Sequence, residues 1–288
     1  MILFAGILLF DMMGLIIKYL SPNYGAAELS AYRNLFGLIP SAFALFWTPG
    51  WRRGGAKLRL RQWRLAVFRG ICVTFAQFSF YLSLGAMAFA SATTISYAMA
   101  LFMTAFAVPI LGEKVGPVRW IAVCIGFVGV IMVMNPGSET FQWIAVLPLI
   151  AAALYAIAGV TSRLLDDDVP SALMNLYSSA VSAVGAITLT LATGGFSAMQ
   201  SLEHFGLVVA MGGFGGAAVL CWVIAHRKTE QSNLAPFNYF GIPLAFALGW
   251  LFFGEAPLDD LFPGALLIAA GGLLILWREQ RKKAGQRG

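Results

Sequence analysis

The sequence predicts an all-α integral membrane protein: ten transmembrane helices in two inverted five-helix repeats, with both termini cytoplasmic. Three observations lead there: the composition, a succession of ten apolar runs, and basic residues confined to one side of the resulting thread. Of 288 residues, 59% are apolar and 11% charged, and the mean hydropathy is +0.79. Soluble domains carry about 25% charged and 45–50% apolar residues, so these side chains could not cover a soluble fold of this size.

A spanning helix needs ~20 largely apolar residues to cross ~30 Å of hydrocarbon. Such runs fall near 2–20, 28–48, 65–84, 91–111, 118–135, 141–162, 171–193, 205–225, 233–253 and 261–277. The first has no basic stretch before it and is interrupted by Asp11, so it reads as a span and not as a cleaved leader. Turn formers punctuate the thread at Ser21-Pro22-Asn23, Asn135-Pro136-Gly137 and Gly194-Gly195, and Pro49, Gly50, Gly54 and Gly55 mark the longest connection.

Threading ten helices sorts the charges. Arg52, Arg53, Lys57, Arg59, Arg61 and Arg64 follow the second helix, Lys114 and Arg119 the fourth, Arg163 the sixth, and Arg227 and Lys228 the eighth. Arg278, Arg281, Lys282, Lys283 and Arg287 occupy the tail. All of these fall on one side, which the positive-inside rule makes cytoplasmic. The remaining basic residues, Lys18, Arg33 and Arg69, lie within or at the ends of helices. The formal charge of +6 is therefore a topology signal and no nucleic-acid footprint. Cys72, Cys124 and Cys221 each sit inside an apolar run, which argues against a disulfide framework or a metal cluster.

A repeat is legible as well. SYAMALFMTAFAVPILGEKVGPVRWIAVCIGFVGVIMV surrounds Gly112-Glu113, and NYFGIPLAFALGWLFFGEAPLDDLFPGALLIAAGGLLIL surrounds Gly254-Glu255. The shift of 142 positions that aligns Gly112 with Gly254 also aligns Tyr97 with Tyr239 and Gly129 with Gly271. The expected units are 1–137 and 138–278, followed by a basic tail over 279–288. Five spans per unit make the second copy enter from the opposite face. Inverted repeats are a construction common in secondary transporters, with the solute site near the midplane between the halves.

The twice-occurring Leu/Phe-Gly-Glu, each followed by a glycine-spaced apolar helix, resembles the drug/metabolite transporter superfamily, and within it the EamA branch. The resemblance runs through both repeats. It implies a basket-shaped bundle with a central cavity lined by helices 1, 3, 4, 6, 8 and 9, and with helices 5 and 10 packed together at the periphery. Exporters of amino acids and related metabolites are the members it is most similar to.

Asp11 is the sharpest single feature, because an ionised carboxylate in mid-span costs at least ~2.5–3.5 kcal/mol. It could bind a proton or a substrate amine, or it could be paired permanently with a buried base. Lys18 returns to nearly the same helix face but ~10 Å further along the axis, so Arg33 in the second span is the better partner by depth. Lys18 is expected to snorkel to the outer interface. On the expected cavity helices stand Gln77, Ser79, Tyr81, Thr94, Tyr97, Tyr155, Trp222, Asn238 and Tyr239. Gln77 and Tyr81 share a helix face, and aromatic walls with sparse polar groups suit an amphipathic solute. Any one of these residues is as readily explained by helix packing or interfacial anchoring. Asp11, Gln77, Tyr81, Thr94, Tyr97, Tyr155, Trp222, Asn238 and Tyr239 form the expected substrate set.

Glu113 and Glu255 end helices after glycine, where capping and surface salt bridging are the plain reading. The glycines at 126, 129, 212, 213, 215, 216, 271 and 272 favour close helix approach. Asp166, Asp167 and Asp168 are adjacent in sequence and point in different directions, so they suit a solvated cap better than a metal site. The sequence lacks H-E-x-x-H and G-x-x-x-x-G-K-[ST], and neither a selectivity filter nor a ring of charge is evident.

The expectation is a multi-pass protein of a bacterial inner (plasma) membrane, exporting small organic metabolites, amino acids foremost, by alternating access. The alternative is a facilitator or uptake carrier for another metabolite, such as a nucleobase, sugar or drug-like amine. An intramembrane enzyme or a channel has fewer materials. The expected partners are a small-molecule substrate and membrane lipid, with no nucleic acid, cofactor or metal. The glycine-rich faces could pack within one monomer or between two.

Overall fold

The computed structural model describes residues 2–47, 61–113, 115–135, 143–164, 171–228 and 240–287. Among these residues the regular structure is helical, without strands. The first half holds α1 (Ile2–Leu20), α2 (Ala26–Phe46), α3 (Trp63–Ala86), α4 (Phe89–Ser96), α5 (Met99–Leu111) and α6 (Pro117–Met134). The second holds α7 (Val146–Thr161), α8 (Ser171–Ala192), α9 (Leu202–Lys228), α10 (Gly241–Phe253), α11 (Leu258–Leu261) and α12 (Gly264–Arg287). Short 3₁₀ turns, Trp143–Ala145 and Ser162–Leu164, flank α7.

Five helical segments among the described residues are long and apolar enough to cross a membrane: 63–86, 89–111, 117–134, 143–164 and 202–219. Their apolar side chains do not all turn inward. Ile39, Phe43, Val184, Leu191, Trp250 and Leu251 are widely exposed, as befits helices whose outer faces meet lipid rather than water. Several long apolar helices with exposed apolar faces make this a multi-pass membrane protein.

The halves interleave. α1 packs on α9, α2 on α8 and α9, α3 on α7 and α8, α5 on α7, and α6 on α12. Each of these pairs joins the first half to the second. Small residues bring the axes together, the usual device where lipid supplies no hydrophobic drive between helices. At the α6–α12 crossing, a Cβ on Gly129 would stand 2.5 Å from the Gly264 carbonyl oxygen and 2.8 Å from the Ile268 nitrogen, so only glycine fits. One apolar cluster joins α4, α5, α6 and α12 through Ile95, Leu101, Val130 and Ile268. Another joins α1, α2, α3 and α9 through Ile17, Leu29, Tyr81 and Met211.

Two helix ends are built alike. α5 stops at Gly112 (φ 68°, ψ 19°) and α10 at Gly254 (φ 67°, ψ 15°). Both lie in the left-handed region, where a Cβ is penalised. Gly112 N–H donates to the Val108 carbonyl and Glu113 N–H to that of Ala107. Gly254 and Glu255 repeat this on Trp250 and Gly249.

The run expected over 91–111 is divided. Tyr97, Ala98, Ala100 and Leu101 donate to carbonyls three residues back, at 3.2, 3.0, 3.2 and 2.9 Å. This tighter winding separates α4 from α5, as a stretch of 3₁₀ geometry does within a helix.

Candidate functional site

The site begins on α1. Ile7, Asp11 and Gly14 share one face by their spacing. A Cβ on Gly14 would come within 2.9 Å of the Phe89 ring at the start of α4. Ile7 and the Tyr97 hydroxyl meet at the backbone of Gly241, where they leave no room for a side chain. Asp11 therefore faces α4 and the Tyr97 break, with 5% of its surface exposed and Oδ2 without a hydrogen-bond partner.

α4 answers with two hydroxyls. Thr93 and Thr94 are buried and their Oγ1 atoms are also unpartnered. A helical threonine ordinarily bonds back to the carbonyl four residues earlier, as Thr74, Thr161 and Thr190 do at 2.9, 2.7 and 2.7 Å. Thr93 and Thr94 do not. Leaving a buried polar atom unsatisfied costs ~1–3 kcal/mol, so this face carries hydrogen-bonding capacity that the protein itself does not use.

A second polar group lies between α2 and α3. Ser30 Oγ donates to Gln77 Oε1 at 3.0 Å, and Asn34 Nδ2 donates to the same oxygen at 2.6 Å. Gln77 Nε2 donates back to Asn34 Oδ1 at 3.3 Å, and Arg33 Nη1 donates to that oxygen at 3.1 Å. The reciprocal amide pair ties two helices and holds the guanidinium on one side. Arg33 Nε has no partner.

The expected set thus divides. Asp11 lies on the α1 face toward α4, which carries Thr94 and ends at Tyr97, while Tyr81 is buried on α3 and Tyr155 stands on α7. Gln77 is buried and engaged in the tie to α2, and Ser79 is buried on the same helix. Trp222 belongs to α9, but its side chain, like Asn238 and Tyr239, lies outside the described residues. Most of the basic loop, including Trp51, and the Asp166–Asp168 run also lie outside them.

Two expectations are corrected. Asp11 and Arg33 form no ion pair; the guanidinium is turned to Asn34 instead. Lys18 does not snorkel free. Its Nζ stands 2.7 Å from Glu255 Oε1 and donates to the Met87 carbonyl at 2.6 Å, so Glu255 does form a salt bridge, but a partly shielded one. Ser30, Asn34 and Thr93 were missed as site neighbours. The spacing of Ser30, Arg33 and Asn34 along one apolar span was the available signal, since it places all three on one helix face.

Among the described residues, no group of three or more His, Cys, Asp or Glu side chains could hold a metal ion. The polar groups are those of recognition chemistry: a carboxylate on α1 and two hydroxyls on α4, and a guanidinium tied to Asn34 on α2. The model of the EamA-like transporter family matches residues 1–135 and again 142–277. A riboflavin transporter of Rhizobium johnstonii is 28% identical over 257 residues, covering 85% of this chain and 84% of its own. An S-adenosylmethionine uptake transporter of Rickettsia bellii is 23% identical, covering 92% of this chain and 88% of its own. A solved structure superposes with a TM-score of 0.65 at 24% identity, covering 97% of this chain and 96% of its own, and shares the fold.

Proposed function

The chain belongs to the EamA-like transporter family, and from that premise we propose that it is a secondary transporter exporting small organic metabolites, amino acids foremost, across a bacterial plasma membrane. Ten spans in two inverted five-helix repeats, 1–137 and 138–278, would form a basket whose halves rock about a central site. The paired family match, the shared geometry at Gly112 and Gly254, and helix pairs that each join the two halves support this arrangement.

The observation that carries the functional reading is the unused hydrogen-bonding capacity at the α1–α4 face: Asp11 Oδ2, Thr93 Oγ1 and Thr94 Oγ1. A carboxylate flanked by hydroxyls suits an ammonium group, and Tyr81, Tyr97 and Tyr155 suit an attached apolar body. The proposed substrate set also includes Trp222, Asn238 and Tyr239. The test is uptake of a labelled amino-acid panel into proteoliposomes, with and without a pH gradient, for wild type and Asp11→Asn. Saturable flux of a panel member, weakened in Asp11→Asn, is the expected result. No flux for any member sinks the amino-acid assignment. A second reading, uptake in place of export, draws on the printed function of the Rickettsia relative; the sidedness of saturable flux in oriented vesicles separates the two.

A further inference from the structure

We propose that α4 is a gate on the side of the molecule away from the basic loops, and that the Lys18–Glu255 ion pair is the latch that holds it shut. The inference rests on the transport reading and the proposed ten-span topology, and it names the element that moves when the solute site opens to that side.

α4 is a short piece separated from the rest of its span. The run over 91–111 forms α4 and α5 with a 3₁₀ step between them. There the Thr94 carbonyl receives the Tyr97 N–H at 3.2 Å, and the Ala98 carbonyl receives those of Leu101 and Phe102 at 2.9 and 3.0 Å. Mid-helix 3₁₀ stretches often serve as hinges, and discontinuous helices flank the solute sites of many carriers. Of the two pieces, α4 is the one packed against α10.

The end of α4 away from the hinge is gripped from both halves of the chain. Glu255, just past α10, accepts the Phe89 N–H on Oε2 at 2.9 Å and faces the Lys18 ammonium with Oε1 at 2.7 Å. Lys18, near the end of α1, donates to the Met87 carbonyl at 2.6 Å, two residues before α4 begins. The two side chains are 12% and 28% exposed, and the ammonium lies 5.3 Å from the centre of the Phe253 ring. Shielding from water strengthens such a pair.

Behind the latch lies the face that the transport reading uses. Phe89 meets Gly14, and Tyr97 meets Gly241 beside Ile7. Thr93 stands between Phe89 and Tyr97 on one side of α4, as Asp11 stands between Gly14 and Ile7 on α1. With α4 in place both are covered, Asp11 5% and Thr93 7% exposed, and Asp11 Oδ2 and Thr93 Oγ1 have no partners. A tie that served packing alone would have no reason to close over idle polar groups. Swinging α4 about the step at Tyr97 uncovers them.

The test reads access directly. Thr93→Cys is introduced with Cys72, Cys124 and Cys221 replaced by serine, and a membrane-impermeant thiol reagent is applied to right-side-out vesicles. With the latch intact, labelling should be slow. Glu255→Gln or Lys18→Gln should speed it at least about tenfold, the order expected when a shielded ion pair loses one partner. Glu113→Gln, at the far end of the same span, should leave the rate as it was, and Lys18→Glu combined with Glu255→Lys should return it toward the slow value. Bridging Lys18→Cys to Glu255→Cys with a short reducible bifunctional thiol reagent should stop exchange of any panel amino acid that shows saturable flux, and reductant should restore it. Equal labelling with and without the latch overturns the proposal, and so does undiminished exchange in the bridged protein. Should Glu255→Gln fail to fold, Lys18→Gln and the bridged protein decide. Labelling needs no solute, so absence of flux for the whole panel defeats the amino-acid reading, while the labelling rates still decide this inference.

Discussion

Glu255 and Glu113 occupy the same place in their helices and live in different surroundings. Each follows a left-handed glycine, and each pairs with a base from the other half of the chain at 2.7 Å, Glu255 with Lys18 and Glu113 with Arg163. Beyond that they diverge. The Lys18 and Glu255 side chains are 12% and 28% exposed, those of Arg163 and Glu113 60% and 33%. Glu255 also accepts the Phe89 N–H at 2.9 Å, at the start of α4, while Lys18 donates to Met87 and lies 5.3 Å from the centre of the Phe253 ring. Under the proposed ten-span topology Glu113 would lie on the cytoplasmic side and Glu255 on the other. One motif therefore closes a shielded junction of α1, α4 and α10 at one end and an exposed tie at the other. The backbone sets where the carboxylate stands, and the surroundings set what it is worth.

The largest expected effect follows from that shielding. Glu255→Gln should lower thermal stability in detergent by roughly 2–3 kcal/mol, because removing one partner strands a partly buried ammonium. A loss below about 0.5 kcal/mol would mean that the junction is as screened as its counterpart. Next, Gly112→Ala and Gly254→Ala should each cost about 1–2 kcal/mol, nearly the same for both, since a left-handed backbone penalises any Cβ. Unequal costs would show that the two ends share a φ value without sharing a role. The smallest effect is expected for Arg163→Ala, under about 1 kcal/mol and shrinking further with added salt, as for exposed ion pairs generally. A larger, salt-independent loss would remove the contrast between the two ends.

Much of this was legible in the sequence because it rests on local or periodic chemistry. Apolar runs, the Gly-Glu helix ends and the glycines of the α6–α12 crossing announce themselves by spacing. Asp11 stood out because a carboxylate has no ordinary place in mid-span. What spacing could not show is which side chains meet across the bundle. Lys18 and Glu255 sit at opposite ends of the chain, and their pairing depends on α10 packing against α1. Arg33 reads as a mate for Asp11 because depth can be read from sequence, whereas rotation toward Asn34 cannot. Thr93 and Thr94 differ from the other described threonines in failing to bond back, a matter of rotamer. The division at Tyr97 has no glycine or proline beside it to signal a change of winding.

In the proposed mechanism one solute site opens to each side of the membrane in turn. Counterflow tests it most directly: proteoliposomes loaded with an unlabelled amino acid that shows saturable flux are diluted into a trace of the same compound, labelled. A carrier alternating about one site predicts a transient internal accumulation of label above its equilibrium level, reduced in Asp11→Asn. Monotonic equilibration without overshoot, unchanged by that substitution, would contradict the account.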